Sequence, residues 1–269
     1  MTDAPSADAL SLARDAIEAS PAGLFADFDG TLSPIVRDPM AARLAPGAAD
    51  ALRALAPRLA VACIVTGRAA ADVRRMTGLD DVWVAGNHGI EWLAPGESRA
   101  ELPPALAGVP AELDRLLAAV PPIPGLWLED KDLSATVHYR RAPQPAETRQ
   151  RILDALRSAL AAARVQGIEL REGRFAVELR PTGIGDKGTA VRALSERFAL
   201  RGILVLGDDL TDLDMFRAAA ELRSAGATAA IIGVGSGGEA SPRVAAEADA
   251  VVGSPAAVVE LLAACGSPQ

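Results

Sequence analysis

The chain has 269 residues, half of them apolar but only 3% aromatic, with a formal net charge of −8 and two cysteines. That length exceeds the usual single-domain mode, so one large domain or a core carrying an inserted second domain is expected, with an interior of Ala, Val, Leu and Ile. The acidic balance and the lack of a long basic run argue against nucleic acid or an anionic membrane surface as partner, and nothing in the composition suggests disorder.

The opening MTDAPSADAL has no basic segment leading into an apolar one, and no later run approaches membrane-spanning length, so the cytoplasm is the expected location. Residues 6–19 read as a helix. Next comes Leu24 to Pro34, LFADFDGTLSP, a short apolar run broken by Asp27, Asp29 and then Gly30. It reads as a buried strand whose carboxyl end carries the acids, the end where open α/β sheets bind ligands. Asp29-Gly30 also fits a plain turn. An EF-hand loop does not fit, because its sixth position counted from Asp27 is Leu32 and not glycine.

A helix near 47–57 enters through Pro46, the strand Val61 to Val65 ends in Thr66-Gly67-Arg68, and a helix near 69–76 precedes a strand from Val82 to Ala85. This alternation implies parallel strands with right-handed crossovers. Cys63 lies inside a buried strand and Cys265 near the terminus, which suits neither a structural disulfide nor a nucleophile.

The middle of the chain has a different rhythm. Residues 111–119 and 146–164 read as helices, Leu126 to Tyr139 alternates, and 168–171 and 174–179 read as strands, with PPIPG at 121–125 as a turn. The β/α pattern then resumes with a helix at 187–198, strand Ile203 to Leu206, helix 211–221, strands Ala229 to Val234 and Ala250 to Val252, and helix 255–264. The expected fold class is α/β: a doubly wound parallel-sheet core from residues 1–108 and 181–269, with an inserted α+β cap domain over 109–180.

Four places carry candidate chemistry, each with a plainer alternative. Besides the Asp27 segment, Thr66 with the loop amides and Arg68 could hold a phosphoryl oxygen, or form an ordinary strand-to-helix turn with Thr as cap. Lys187 opens a helix, where a cation is unfavourable without an anion beside it; it also fits a solvated lysine after an Asp N-cap. Asp208, Asp209 and Asp212 in GDDLTD crowd one strand end, either compensated by a cation or used in part as helix caps.

Asp27-Phe28-Asp29-Gly30-Thr31-Leu32, a strand-end Thr66, Lys187 and GDDLTD occur in the order found in the haloacid dehalogenase (HAD) superfamily of aspartate-nucleophile phosphatases, which the chain resembles. The resemblance implies a HAD-like, Rossmannoid core, with Asp27 as nucleophile, Asp29 as acid and base, and Thr66 and Lys187 holding the phosphoryl group beside Gly30, Thr31 and Arg68. It also implies a metal on the side chains of Asp27 and Asp208 and the backbone carbonyl of Asp29, with Asp209 and Asp212 behind them and Asp212 orienting a water. An oxygen-only donor set handling phosphate suits Mg²⁺.

Further motifs, DFDGTLSP, Gly86-Asn87-His88-Gly89 with Glu91, LEDKDLSATVHYR from Leu128 and VELRP from Val177, are similar to those of the trehalose-6-phosphate phosphatase family from about residue 22 onward. By that resemblance Glu129, Lys131 and Glu178 contact sugar hydroxyls, and His138, Arg140, Asn87 and His88 belong to the same substrate-binding region. Without it, Glu129 and Lys131 on one face of a strand read as half of a cross-strand ion pair. The implied function is Mg²⁺-dependent hydrolysis of trehalose 6-phosphate through an aspartyl phosphate, functionally coupled to a trehalose-6-phosphate synthase. The alternatives are another HAD sugar phosphatase, a phosphomannomutase-like enzyme, or a non-catalytic phosphosugar-binding module. The last has no use for Asp29.

Overall fold

The computed structural model describes residues 4–102, 106–130, 133–162, 167–173, 175–182, 185–235 and 240–266. Two compact units divide the chain, one of Met1–Glu101 with Gly185–Gln269 and one of Leu102–Ile184. In chain order the first unit begins with α1 (Ala7–Glu18), β1 (Ala22–Ala26), α2 (Ala48–Leu55), β2 (Val61–Val65), α3 (Ala70–Thr77), β3 (Trp83–Gly86) and β4 (Glu91–Leu93). The second unit holds α4 (Val109–Ala118), β5 (Trp127–Asp130), β6 (Ala135–His138), α5 (Pro145–Ala161), β7 (Ile168–Gly173) and β8 (Ala176–Pro181). The first unit is completed by α6 (Lys187–Arg197), β9 (Gly202–Gly207), α7 (Leu213–Ser224), β10 (Thr228–Val234), α8 (Pro242–Glu247), β11 (Ala250–Val252) and α9 (Pro255–Gly266).

Local sequence accounts for several of these elements. Ser6 caps α1 by accepting from the Ala9 amide at 3.1 Å, and Ala9, Ala13, Ala16 and Ile17 give α1 one buried stripe at helical spacing. Asp186 caps α6, accepting from the Thr189 amide while the Thr189 hydroxyl takes the Asp186 amide, so Lys187 is fixed as the first helical residue. In β1, Leu24 and Ala26 face one core cluster with α1, α2, α3 and α9, while Phe25 faces the other with α6, α7 and α8. Period two on a sheet covered on both faces makes the strands read as unbroken apolar runs.

Among the described residues the first unit's sheet has seven strands in the order β11-β10-β9-β1-β2-β3-β4, parallel except for β3 and β4. Strands β2 and β9 flank β1, so the chain order reverses at β1 and opens a crevice at the carboxyl ends of these three. Two departures from the sequence expectation occur in this unit beside β3 and β9. The antiparallel β4 is too short to show a period, and α7 begins two residues after 211 because Leu210–Asp212 is a 3₁₀ turn folded around the Asp212 carboxylate.

The second unit is a four-stranded antiparallel sheet, β5-β6-β8-β7. One face, with Ala135, Val137, Val177 and Leu179 fully buried, is apolar, and α5 lies against β8 and α4. The other face is charged. Among the described residues of the chain, no helix is long and apolar enough to cross a membrane.

Candidate active site

Because β9, β1 and β2 are adjacent and in parallel register, Leu206, Ala26 and Ile64 align, and the residues that follow them emerge together. Asp27 follows β1, Thr66 follows β2, Asp208 follows β9, and Lys187 comes in from the start of α6. Asp27, Asp208 and Asp212 each offer one carboxylate oxygen, all within 4.8 Å of one another. Lys187 Nζ donates to Asp27 Oδ1 at 2.5 Å and to Asp212 Oδ1 at 2.6 Å, with all three side chains buried. The other oxygen of Asp212 accepts from the amides of Asp208 and Asp209 at 2.9 and 3.0 Å, so Asp212 both folds this loop and holds the lysine.

The glycine of the first motif has a steric reason. Gly30 has φ +92°, and a Cβ there would lie 2.1 Å from Asp208 Oδ2, so only glycine lets the two loops meet. Thr31 tightens the same contact, its hydroxyl donating to Asp208 Oδ1 at 3.2 Å. The Thr66 oxygen accepts from the Arg68 amide at 3.1 Å, which leaves its hydroxyl proton able to donate. Arg68 grips Asp29 in a fork, Nε to Oδ2 at 2.6 Å and Nη2 to Oδ1 at 2.7 Å, and its Nη1 donates to the Pro39 carbonyl at 2.8 Å. A depression of about 650 Å³ beside these loops is lined in part by Asp29, Arg68, Asp208 and Asp209.

The charge balance fits a bound cation. Burial pushes the Asp27 carboxyl well above its ordinary range against the pull of Lys187, and Asp212 and Asp208 add to the rise. Burial also pushes Asp208 up to about 7, with Asp212 adding to it. Burial pulls Lys187 down, but Asp27 and Asp212 outweigh it and hold its ammonium above the ordinary lysine range. One ammonium faces three carboxylates in this cluster. A divalent cation with a preference for oxygen would remove the imbalance, and Asp27, Asp208 and Asp212 each have an oxygen that could hold it. The buried thiol of Cys63 is raised to about 12 and is inert, as the sequence suggests.

Not every residue singled out in the sequence joins the carboxylates. Asn87 is buried and donates to Glu91 Oε1 at 3.0 Å, and the same oxygen accepts from the Ala70 amide at 2.6 Å. The Asn87 and His88 amides donate to the Arg68 and Thr66 carbonyls, so this turn braces the Thr66 loop from behind. Glu91 is the keystone of that brace. Its only signal in the sequence was its place after GNHG.

The remaining candidates lie in the second unit. Strand register puts Glu129, Thr136, Glu178 and Arg171 in one row across the charged face, and a depression of about 300 Å³ follows that row. His138 Nε2 is 2.9 Å from Glu129 Oε2, and Arg140 lies over the Phe175 ring at 5.4 Å. Lys131 lies outside the described residues. Thr136, Arg171 and Trp127 share this face and went unnoticed in the sequence, since cross-strand pairing is not written in local spacing.

Residues 25–245 match the family model described as Trehalose-phosphatase. A trehalose-phosphate phosphatase of Mycobacterium tuberculosis is 38% identical over 228 residues, which is 80% of this chain and 56% of that protein. The chain thus spans about half the length of the curated relatives it matches. Among solved structures, the C-terminal domain of trehalose-6-phosphate phosphatase from C. albicans superposes with a TM-score of 0.67 at 25% identity, covering 98% of each chain. Trehalose-6-phosphate phosphatase from Aspergillus fumigatus gives 0.65 at 27% identity, again covering 98% of each.

Proposed function

This chain belongs to the trehalose-phosphatase family, and from that premise we propose that it hydrolyses trehalose 6-phosphate to trehalose and phosphate in two displacements at Asp27, with Mg²⁺ as its cofactor. The observation that supports this most is the buried Asp27 carboxylate, held by Lys187 at 2.5 Å at a sheet switch point with Asp208 beside it. A nucleophile so fixed needs no reorganisation before attack.

In the first displacement an oxygen of Asp27 bonds to phosphorus as the phosphorus–sugar oxygen bond breaks. The electron pair stays on the leaving oxygen, which takes a proton from Asp29, giving an aspartyl phosphate and trehalose. Asp29 then takes a proton from water as that oxygen bonds to phosphorus. The acyl-phosphate bond breaks, phosphate leaves and the Asp27 carboxylate returns. Proton transfer requires an Asp29 oxygen to leave the Arg68 fork, which frees the guanidinium for the phosphoryl group. Lys187, the Thr66 hydroxyl and the backbone at Gly30 and Thr31 offset charge on the transferring oxygens. Mg²⁺, on the carboxylates of Asp27 and Asp208 and the carbonyl of Asp29, would supply the remaining positive charge.

The second unit, on this reading, is the sugar-reading cap, with Glu129, Lys131, Glu178, His138 and Arg140 bonding hydroxyls. The substrate comes from a trehalose-6-phosphate synthase and the reaction runs in the cytoplasm. The test is phosphate release from trehalose 6-phosphate with Mg²⁺, measured beside an Asp27→Asn variant and with acid-quench trapping of labelled phosphoenzyme. Turnover by the variant, or none by the native chain, overturns the proposal.

A further inference from the structure

The packing of the second unit leaves one large side chain unexplained. Trp127, in the edge strand β5, is 59% exposed, the most of any large apolar side chain described in that unit. One face of its indole is stacked on the imidazole of His138, with centroids 4.5 Å apart and planes 20° apart. His138 is its cross-strand partner and is held in turn by Glu129 at 2.9 Å, so the imidazole backs the indole and limits how it can turn. A depression of about 470 Å³ opens here, lined by Gly125, Trp127, His138, Arg140 and Arg141.

This lining combines a broad, rigid apolar plane with charged donors around its edge. A purely apolar ligand offers nothing to the guanidinium donors of Arg140 and Arg141, and an inorganic anion has no use for an indole. A pyranose ring matches both parts. Its axial C–H bonds make an apolar face for the aromatic plane, and its equatorial hydroxyls point outward to guanidinium and imidazole groups. Trp127 and Glu129 are two residues apart on one strand and face the same side, with His138 between them, so the indole turns its free face to the depression that Arg140 and Arg141 line.

We propose that Trp127 is a stacking platform for a glucose ring of the disaccharide, and that His138 is the residue that positions it. This rests on the phosphatase reading above. The pair then discriminates a disaccharide phosphate from smaller phosphate esters, which offer the indole no ring.

The test compares Trp127→Ala and Trp127→Phe with the native chain, on trehalose 6-phosphate and on p-nitrophenyl phosphate. A stack on a non-reacting ring is made equally in the ground and transition states, so the alanine variant raises KM for the sugar substrate about 5- to 30-fold with kcat nearly kept. The phenylalanine variant recovers most of this, and the generic substrate is unaffected in both. Trehalose 6-phosphate titrated into an Asp27→Asn variant, which binds without turnover, changes tryptophan fluorescence, and the change disappears when Trp127→Phe is added. Native-like KM in the alanine variant overturns the platform. So does a fluorescence change that is absent, or that survives removal of the indole. A shift in oligomeric state with unchanged KM assigns Trp127 to an interface and also overturns it. A native chain inactive on trehalose 6-phosphate but active on the generic ester overturns the trehalose reading instead. If the alanine variant does not fold, the phenylalanine variant and the titration decide.

Discussion

The carboxylate crevice of the first unit and the charged sheet face of the second are built by opposite rules. In the crevice, Asp27, Asp212 and Lys187 are buried and tied to one another, and the Asp212 oxygens are shared between an ammonium and two amides. On the sheet face, Glu129 with His138 and Glu169 with Arg180 pair at roughly a third exposure, open to water and to exchange of partners. Charges of the first kind interact strongly and are costly to disturb, whereas those of the second are screened and cheap to rearrange. A site that transfers the same phosphoryl group every time gains from the first arrangement. One that reads many hydroxyls, each exchangeable with water, gains from the second.

The largest effect expected from that contrast is at Asp27, the nucleophile of the proposed reaction. Asp27→Asn should lower turnover by at least about a thousandfold on both trehalose 6-phosphate and p-nitrophenyl phosphate while leaving circular dichroism intact, because an amide is a poor nucleophile. Lys187→Ala comes next. It leaves two buried carboxylates facing each other, so both activities should fall together and stability should drop by about 3–5 kcal/mol in metal-free buffer, read by urea unfolding. A Lys187 variant that lost only the sugar substrate would dissolve the distinction between the two regions.

Changes on the sheet face should be smaller and selective. Glu129→Ala and Glu178→Ala should each cost about 10- to 1000-fold in kcat/KM for trehalose 6-phosphate, from lost charged hydrogen bonds, with little change on p-nitrophenyl phosphate. Parallel loss of both activities in folded variants would mean that these carboxylates act on the chemistry and not on the sugar.

How much of this could be read from the chain also differs between the regions. The β/α alternation, the strand ends at Asp27, Thr66 and Asp208 and the helix start at Lys187 were legible because buried parallel strands are unbroken apolar runs and acids or glycine end them. For Asp212 the family resemblance implied a place behind a bound metal. Its hydrogen bonds to Lys187 and two amides depend on a 3₁₀ turn that no local pattern announces. The six-residue α8 and three-residue β4 were too short to show a period. In the second unit Leu126 to Tyr139 reads as one alternating stretch where the structure has the two strands β5 and β6, and the row from Glu129 through Thr136 to Glu178 and Arg171 is a product of register, which spacing along one strand does not encode. The Arg68 fork on Asp29 was hidden for the same reason, since the two residues stand 39 positions apart.

The smallest expected effect concerns the cation and pH, and it probes the crevice without a mutation. Burial pushes the Asp208 carboxyl up to about 7 from its ordinary 3.8, because it disfavours the charged form. The sign follows from linkage: the metal-free fold holds this proton more tightly than the unfolded chain does. Its contribution to stability is therefore complete below about pH 4 and is lost as pH rises through about 7. A cation on Asp208 must displace the proton. At pH 6 roughly nine carboxyls in ten carry it and at pH 8 roughly one in ten, a difference in apparent Mg²⁺ affinity of about tenfold, or ~1.4 kcal/mol. Thermal melts in EDTA should thus fall between pH 6 and pH 8 by more than in Asp208→Asn. The rise in Tm on adding Mg²⁺ should be about 3–5 °C greater at pH 8 than at pH 6. On the sheet face no such coupling is expected, so Glu178→Ala should keep the full Mg²⁺ response. An identical Mg²⁺ shift at both pH values would place the ion away from Asp208, and loss of the response in Glu178→Ala would tie that carboxylate to the ion.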